Sequence, residues 1–372
     1  MAEERNIARK YRIYPNSDQK IKFSKTFGCV RFVYNRMLSD KIEEYQKTGK
    51  MKKTTPAQYK KEYPWLKEVD SLALANAQLH LEAAYKNFFR DPKVGFPKYK
   101  SKHHSKASYT TNVVNNNIRF EDGKLKLPKV GLVKIKCHYK VDEEGTLKSA
   151  TISQDASGKY YVSLLYSLPE RENQSEEKTE EDVKMLGIDF AMDGLGVYSD
   201  GRRADYPMYY KKMEKKLARE QRKLSHMEKK SQNYIKQRKK LAKIHEKIRN
   251  QRKDYQHKLS KELADNYDCI AVEDLNMKAM SQGLSLGKGV SDNGYGAFLT
   301  RLQYKLEDRD KRLIRIDRFF PSSKKCSCCG KVKQELKLSE RVYRCECGNV
   351  MDRDVNAAIN IRNEGRRILM EQ

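Results

Sequence analysis

Apolar and polar side chains alternate over residues 7–14, Ile-Ala-Arg-Lys-Tyr-Arg-Ile-Tyr, the period-two pattern of a strand with one buried face. Pro15-Asn16-Ser17 ends it, and Phe23, Phe27, Val30, Tyr34 and Met37 then recur at helical spacing, which predicts a helix with one apolar face. A second helix is predicted from about Ser71 to Phe89, with Leu72, Leu79 and Phe89 among its apolar positions and Asp91-Pro92 as its stop. From about 107 to 168 the runs are short and β-rich. Thr151–Asp155 and Tyr160–Leu168, joined across Ser157-Gly158, read as a hairpin. The expected arrangement is a small β-barrel built from 1–15 and 105–170 that encloses a helical insert at 16–104.

Residues 170–182 are acidic and poor in apolar side chains, so they bury too little surface to order themselves and read as a linker, bounded at 171–183. Met185–Phe190 and Gly196–Ser199 read as strands, with a tight turn at Asp200-Gly201. They open an α/β domain placed at 184–323 and 350–372. Tyr209–Ala264 lacks Gly and Pro, is dense in Lys and Arg, and carries Met213, Leu217, Leu224, Leu241, Ile244 and Ile248 at roughly helical spacing. Two long helices breaking near Ser231–Tyr234 are expected, a basic hairpin over 207–264. Its charged face reads equally as solvated surface or as a contact for backbone phosphates.

Charge sharpens the picture. The 372 residues hold 78 Lys+Arg against 50 Asp+Glu, a net +28, and such a surplus repels itself unless a polyanion neutralises it. No apolar run approaches the roughly 20 residues that span a bilayer. The opening MAEERNIARK has no apolar segment of the secretory kind, so a cytoplasmic protein is expected. Eight cysteines in a reducing compartment should not form disulfides. Cys29, Cys137 and Cys269 sit among apolar neighbours and read as core residues, whereas Cys326, Cys328, Cys329, Cys345 and Cys347 cluster.

Cys326-Ser327-Cys328-Cys329-Gly330 and Cys345-Glu346-Cys347-Gly348 are two thiolate pairs on Gly-bearing turns, which suits a closed four-sulfur site for structural Zn²⁺ in a ribbon at 324–349. Only Cys326 and Cys329 give the two-residue spacing that ends at Gly330, although Cys328 could exchange with either. Three further acids stand at the ends of apolar elements. Asp189 follows Leu186-Gly187-Ile188, Glu273 follows Cys269-Ile270-Ala271-Val272, and Asp352 and Asp354 precede Val355-Asn356-Ala357-Ala358, whose Ala-Ala step permits close packing on a sheet. Carboxylates that share a site repel one another unless a divalent metal such as Mg²⁺ neutralises them.

The ordered series Gly-Ile-Asp, Val-Glu-Asp-Leu and Asp-Arg-Asp-Val-Asn-Ala-Ala resembles the three motifs of RuvC-type, RNase H-like nucleases. With a cysteine ribbon before the third motif and the basic hairpin between the first two, nearly the whole chain resembles the TnpB family. These are transposon-encoded, RNA-guided DNA endonucleases related to the compact type V CRISPR effectors. Phe319-Phe320-Pro321-Ser322-Ser323-Lys324, Gly289–Gly296 and Gly95–Lys102 add to the likeness. The resemblance implies an α/β RuvC-like nuclease domain with an inserted zinc ribbon, preceded by a wedge-type β-barrel carrying a helical recognition insert. It implies Asp189, Glu273 and Asp354 as Mg²⁺-binding catalytic acids of a two-metal site, with Asp352 a capping or outer acid. It further implies guide RNA from the transposon end and double-stranded DNA as partners, with cleavage next to a short motif. Tyr34, Asn76 and Gln78 are the expected motif readers, and Lys98, Lys100 and Lys102 the expected phosphate contacts. The alternatives are a transposase or junction resolvase and a nuclease-inactive guided repressor.

Overall fold

The computed structural model describes residues 4–138, 145–169, 182–192, 194–282, 292–337 and 339–371. The chain divides into two compact units, residues 1–172 and 173–372. The expected linker falls largely outside the described residues, as do residues 289–291 of the Gly-rich segment that starts at Gly289.

In the N-terminal unit, β1 (Glu4–Tyr14), β2 (Ala107–Asn112), β3 (Arg119–Glu121), β4 (Lys124–Leu127), β5 (Gly131–Lys136), β6 (Thr146–Gln154) and β7 (Tyr160–Pro169) form one antiparallel sheet in the order β2-β6-β7-β1-β5-β4-β3. The predicted hairpin is β6–β7. Helix α1 (Ser17–Thr48) starts at a capping box in which Asn16 and Gln19 exchange side chain to backbone bonds, and the Gln19 amide also donates to the Leu132 carbonyl at 2.8 Å. That bond fixes the helix to β5. After the short α2 (Pro56–Glu62), α3 (Ser71–Arg90) is capped by Asp70.

Two expectations change here. The described strands do not close into a barrel, because β2 and β3 end the sheet without pairing to each other. The apolar face that closure would bury is covered by α1 instead, with Phe23 and Phe27 packed on Tyr109 and Tyr160. On α3 the buried stripe is Ala73, Leu74, Ala77, Leu81 and Tyr85, which turns Leu79 and Phe89 outward at 52% and 68% exposure. Cys29 and Cys269 are buried as expected, but Cys137, just past the end of β5, is exposed.

The C-terminal unit is built on β8 (Met185–Asp189), β9 (Val197–Tyr198), β10 (Cys269–Glu273) and β11 (Arg312–Ile316), in the order β11-β10-β8-β9. β8, β10 and β11 are parallel and β9 is antiparallel to β8. Strand side chains alternate between faces. Leu186, Ile188, Ile270 and Val272 pack under α5 (Gln232–Asn266) and α7 (Tyr295–Glu307), through Leu263, Phe298 and Leu302. Residues 185, 187 and 189 of β8 and 269, 271 and 273 of β10 face the other way, toward α8 (Arg353–Met370). A Cβ on Gly187 would run into the Ala358 carbonyl, and one on Gly365 into Ala271. The helix therefore lies on the sheet with backbone nearly in contact.

Between β9 and β10, α4 (Tyr209–Ser225) and α5 form the basic hairpin, with the break at 226–231 slightly ahead of its predicted place. Leu217, Ile244 and Ile248 make its small core. Glu220 is 1% exposed there, accepts from the Gln237 amide at 2.8 Å and pairs with Lys240 at 2.9 Å; these partners hold its carboxyl down at about 2. After α6 (Met277–Gln282) and α7, β12 (Val342–Arg344) and β13 (Val350–Asp352) form a two-stranded ribbon, and β13 runs directly into α8. No described helix is long and apolar enough to cross a membrane.

Gly187→Ala should cost about 2–3 kcal/mol of stability in urea unfolding, because backbone rather than a yielding side chain meets the added methyl. Gly296→Ala on α7, where a Cβ meets nothing within 4 Å, should be neutral or stabilising by up to about 1 kcal/mol.

Candidate active site and metal centre

Asp189 and Glu273 are the last residues of β8 and β10. With Ile188 opposite Val272, the two acids are next in register and lie on the face covered by α8. Asp354 is in the first turn of that helix, where the backbone dipole favours negative charge. Glu273 and Asp354 are thus near enough to Asp189 for their charges to act on it. Burial pushes the Asp189 carboxyl well above the usual carboxylate range, the charges of Glu273 and Asp354 push it further, and Arg353 only partly opposes them. Burial also raises Glu273, against a hydrogen bond from the Ser322 hydroxyl. Asp354 lies 3.3 Å from Arg353, 3.8 Å from Arg203 and 4.0 Å from Arg341.

Asp352 accepts from the backbone amides of Asp354 at 2.9 Å and Val355 at 3.1 Å, and pairs with Arg203 at 3.0 Å. It is the cap of α8, in keeping with the lesser role expected of it. Asp189 and Glu273 suit a divalent cation: burial favours their protonated forms, and a hard, oxygen-seeking ion relieves that condition.

The sulfurs of Cys326, Cys329, Cys345 and Cys347 lie within 4.8 Å of one another, and the pairs Cys326–Cys347 and Cys329–Cys345 are each 3.7 Å apart. Four thiolates about 2.3 Å from one Zn²⁺ in a tetrahedron stand roughly 3.8 Å apart, so the set fits structural zinc. Two matching turns build it. Gly330 and Gly348, at φ +78° and +89°, donate back to the carbonyls of Cys326 and Cys345 at 3.0 Å. Burial raises the Cys326 thiol, but the Cys329 and Cys328 amides and the Asn349 side chain outweigh it and bring it down to about 6. Cys328 is exposed and outside the cluster, which settles the choice left open by the sequence.

The expected nucleic-acid contacts are placed unevenly. Lys98 and Lys102 are exposed and Gln78 is half-buried, its amide bonded to Glu82 at 2.8 Å. Tyr34 is 4% exposed, with the half-buried Lys100 ammonium 3.8 Å above its ring. Asn76 is 6% exposed, and its amide donates to the Leu72 carbonyl at 2.9 Å and approaches Asn112 at 3.4 Å. Tyr34 and Asn76 are thus packed inside the N-terminal unit.

Other residues had no role assigned from sequence. Ser322, Asn356 and Asn360 are 4%, 0% and 2% exposed and join the root of the ribbon to α8. Asn356 and Asn360 stand four apart on one helix face, a spacing visible in the sequence beside the Ala-Ala step.

Family models match three stretches: "Probable transposase" at residues 166–283, "Cas12f1-like, TNB domain" at 295–361 and "Helix-turn-helix domain" at 1–50. The last covers β1 and the single continuous helix α1. A Streptomyces pristinaespiralis protein named "Putative RNA-guided DNA endonuclease" is 33% identical over 375 residues, covering 98% of this chain and 90% of that protein. An Escherichia coli K12 protein of the same designation, InsQ, is 30% identical over 390 residues, covering 97% and 92%. Among solved structures, the Cas12f1–sgRNA–target DNA complex aligns over 97% of this chain and 99% of that one with a TM-score of 0.59 at 13% identity. The fold is therefore that of the compact type V effectors, with a four-cysteine ribbon entering the last helix. Within that class the chain belongs to the TnpB family.

Purified protein should carry about one equivalent of zinc by elemental analysis. Cys329→Ser or Cys345→Ser should lower both zinc content and thermal stability, since a structural site contributes its binding free energy to folding, while Cys328→Ser and Cys137→Ser should change neither.

Proposed function

We propose that this protein is an RNA-guided DNA endonuclease that hydrolyses phosphodiester bonds at a single RuvC-like site. The observation that carries the reading is the convergence of Asp189, Glu273 and Asp354 at the edge of one sheet, in a chain aligned nearly end to end with relatives that bear that name. The acids would hold Mg²⁺, which supplies charge stabilisation at the scissile phosphate and a nucleophile at neutral pH. The protein's own contribution is to keep the three carboxylates fixed and partly dehydrated, so that their charge is directed at the ion and not spent on water. Asp352 fixes the first turn of α8 and hence the position of Asp354.

Guide RNA and double-stranded DNA are the proposed partners. The net charge of +28 supports a polyanion, and α4 with its cap offers an open basic surface of Lys215, Lys216, Arg219, Arg222, Lys223 and His226. Lys98 and Lys102 add exposed cations on the N-terminal unit, which we read as the wedge-type element with its helical insert. Target sequence would be read by RNA–DNA pairing while the protein grips shape and backbone.

Asp189→Ala, Glu273→Ala and Asp354→Ala should each reduce Mg²⁺-dependent cleavage by more than about 10³-fold with nucleic-acid affinity nearly unchanged, and Asp352→Ala should do less. The assay compares matched, mismatched and four-way-junction DNA with the copurified RNA present or digested. Cutting confined to DNA that matches the RNA next to a fixed short motif supports the reading; undiminished cutting after RNA removal, or preference for the junction, replaces it with a resolvase.

A further inference from the structure

The buried Ser322 hydroxyl donates to Glu273 Oε1 at 2.5 Å. Glu273 Oε2 has no hydrogen-bond partner among the described residues. Ser322 is itself held: its carbonyl accepts from Asn360 Nδ2 at 2.8 Å. The same nitrogen reaches the Lys325 carbonyl at 2.6 Å, Asn356 Nδ2 reaches it at 2.7 Å, and Asn356 Oδ1 accepts from the Ser327 amide at 3.0 Å. Cys326 stands between Lys325 and Ser327. A run of buried and part-buried hydrogen bonds thus leads from the first thiolate turn, across α8, to the carboxylate at the end of β10.

A buried polar run of this kind is stable only when every member is satisfied. The two asparagines spend three donors and an acceptor on two backbone segments that would otherwise be free to shift against the helix. The Ser322 hydroxyl spends its proton on one oxygen of Glu273 and so limits how that carboxylate can turn.

We infer that Ser322 is a positioning residue: its hydroxyl fixes one oxygen of Glu273 so that the other faces the shared site of the three acids, and the zinc-bound turn holds Ser322 in place through Asn356 and Asn360. The inference rests on the reading of Glu273 as a metal ligand. It makes the ribbon's zinc and the divalent ion at the acids coupled sites within one unit, and Ser322 the link.

The test uses the full chain with its copurified RNA and no DNA, and Mn²⁺ as the probe, followed by the electron paramagnetic resonance of the free ion; binding lost in Asp189→Ala defines the site and separates it from ions held by RNA. Ser322→Ala should weaken Mn²⁺ at that site by 10-fold or more, the usual effect of removing a group that orients a metal ligand, with zinc content and RNA affinity unchanged. Ser322→Thr should restore affinity to within about threefold, and Asn360→Ala should show a smaller loss. Wild-type Mn²⁺ affinity in Ser322→Ala overturns the inference while leaving the acids as assigned. An equal loss in the Ala and Thr variants also overturns it, since packing and not the hydroxyl would be at work. If Asp189→Ala itself loses no Mn²⁺ and still cuts DNA, the reading of the acids fails first.

Discussion

A carboxylate taken out of water costs several kcal/mol, and each like charge beside it adds to the cost. Asp189 bears both burdens, with Glu273 and Asp354 as its neighbours. The C-terminal unit is arranged around that unfavourable contact. Parallel strands put two of the acids in register at one sheet edge, and Gly187 and Gly365 let α8 come down far enough to bring the third. Asp352 ties the helix start, and the asparagines of α8 tie the ribbon root. A protein that held these groups apart would be more stable and would have no site. The strain is tolerated because packing over-determines the geometry.

The N-terminal unit solves a different problem. Its sheet leaves two ends unpaired and uses α1 and α3 to cover its apolar face. The buried aromatic cluster of Phe23, Phe27, Tyr109 and Tyr160 joins helix and sheet, and side chains that would suit contact with bases, such as Asn76, are spent on internal bonds. Cations such as Lys98 and Lys102 remain exposed at its surface. In the basic hairpin of the other unit, Glu220 is likewise turned inward and fastens the two helices through Gln237 and Lys240.

The acids were legible because a carboxylate in an apolar strand is costly anywhere, so Asp189 and Glu273 announce a partner from sequence alone. Asp352 was legible as a cap from its place before a helical run, and the clustered cysteines from turn spacing, apart from the competition of Cys328, which only its place outside the sulfur cluster decides. The stripe Phe23–Met37 already placed Tyr34 in the core, and the structure keeps it there against its reading as a surface contact. Leu79 and Phe89 misled because helical periodicity gives a stripe without saying which of two overlapping stripes meets the sheet. Barrel closure depended on pairing between strands at the far ends of the order, which no local pattern encodes. Ser322 lay hidden in Pro-Ser-Ser-Lys, a run that reads as an ordinary turn until the distance to Glu273 is known.

The passage from β13 into α8 has no intervening residue, and the chain entering the ribbon is pinned by Asn356 and Asn360. The ribbon consequently has no hinge at either end. A load applied to it, by a bound strand or by thermal motion, is not absorbed by a flexible joint but delivered as torque to the first turn of α8, where Asp354 sits. Such a module behaves as a lever fixed to the turn that carries Asp354, and replacing it with a flexible spacer would remove the stiffness along with the mass.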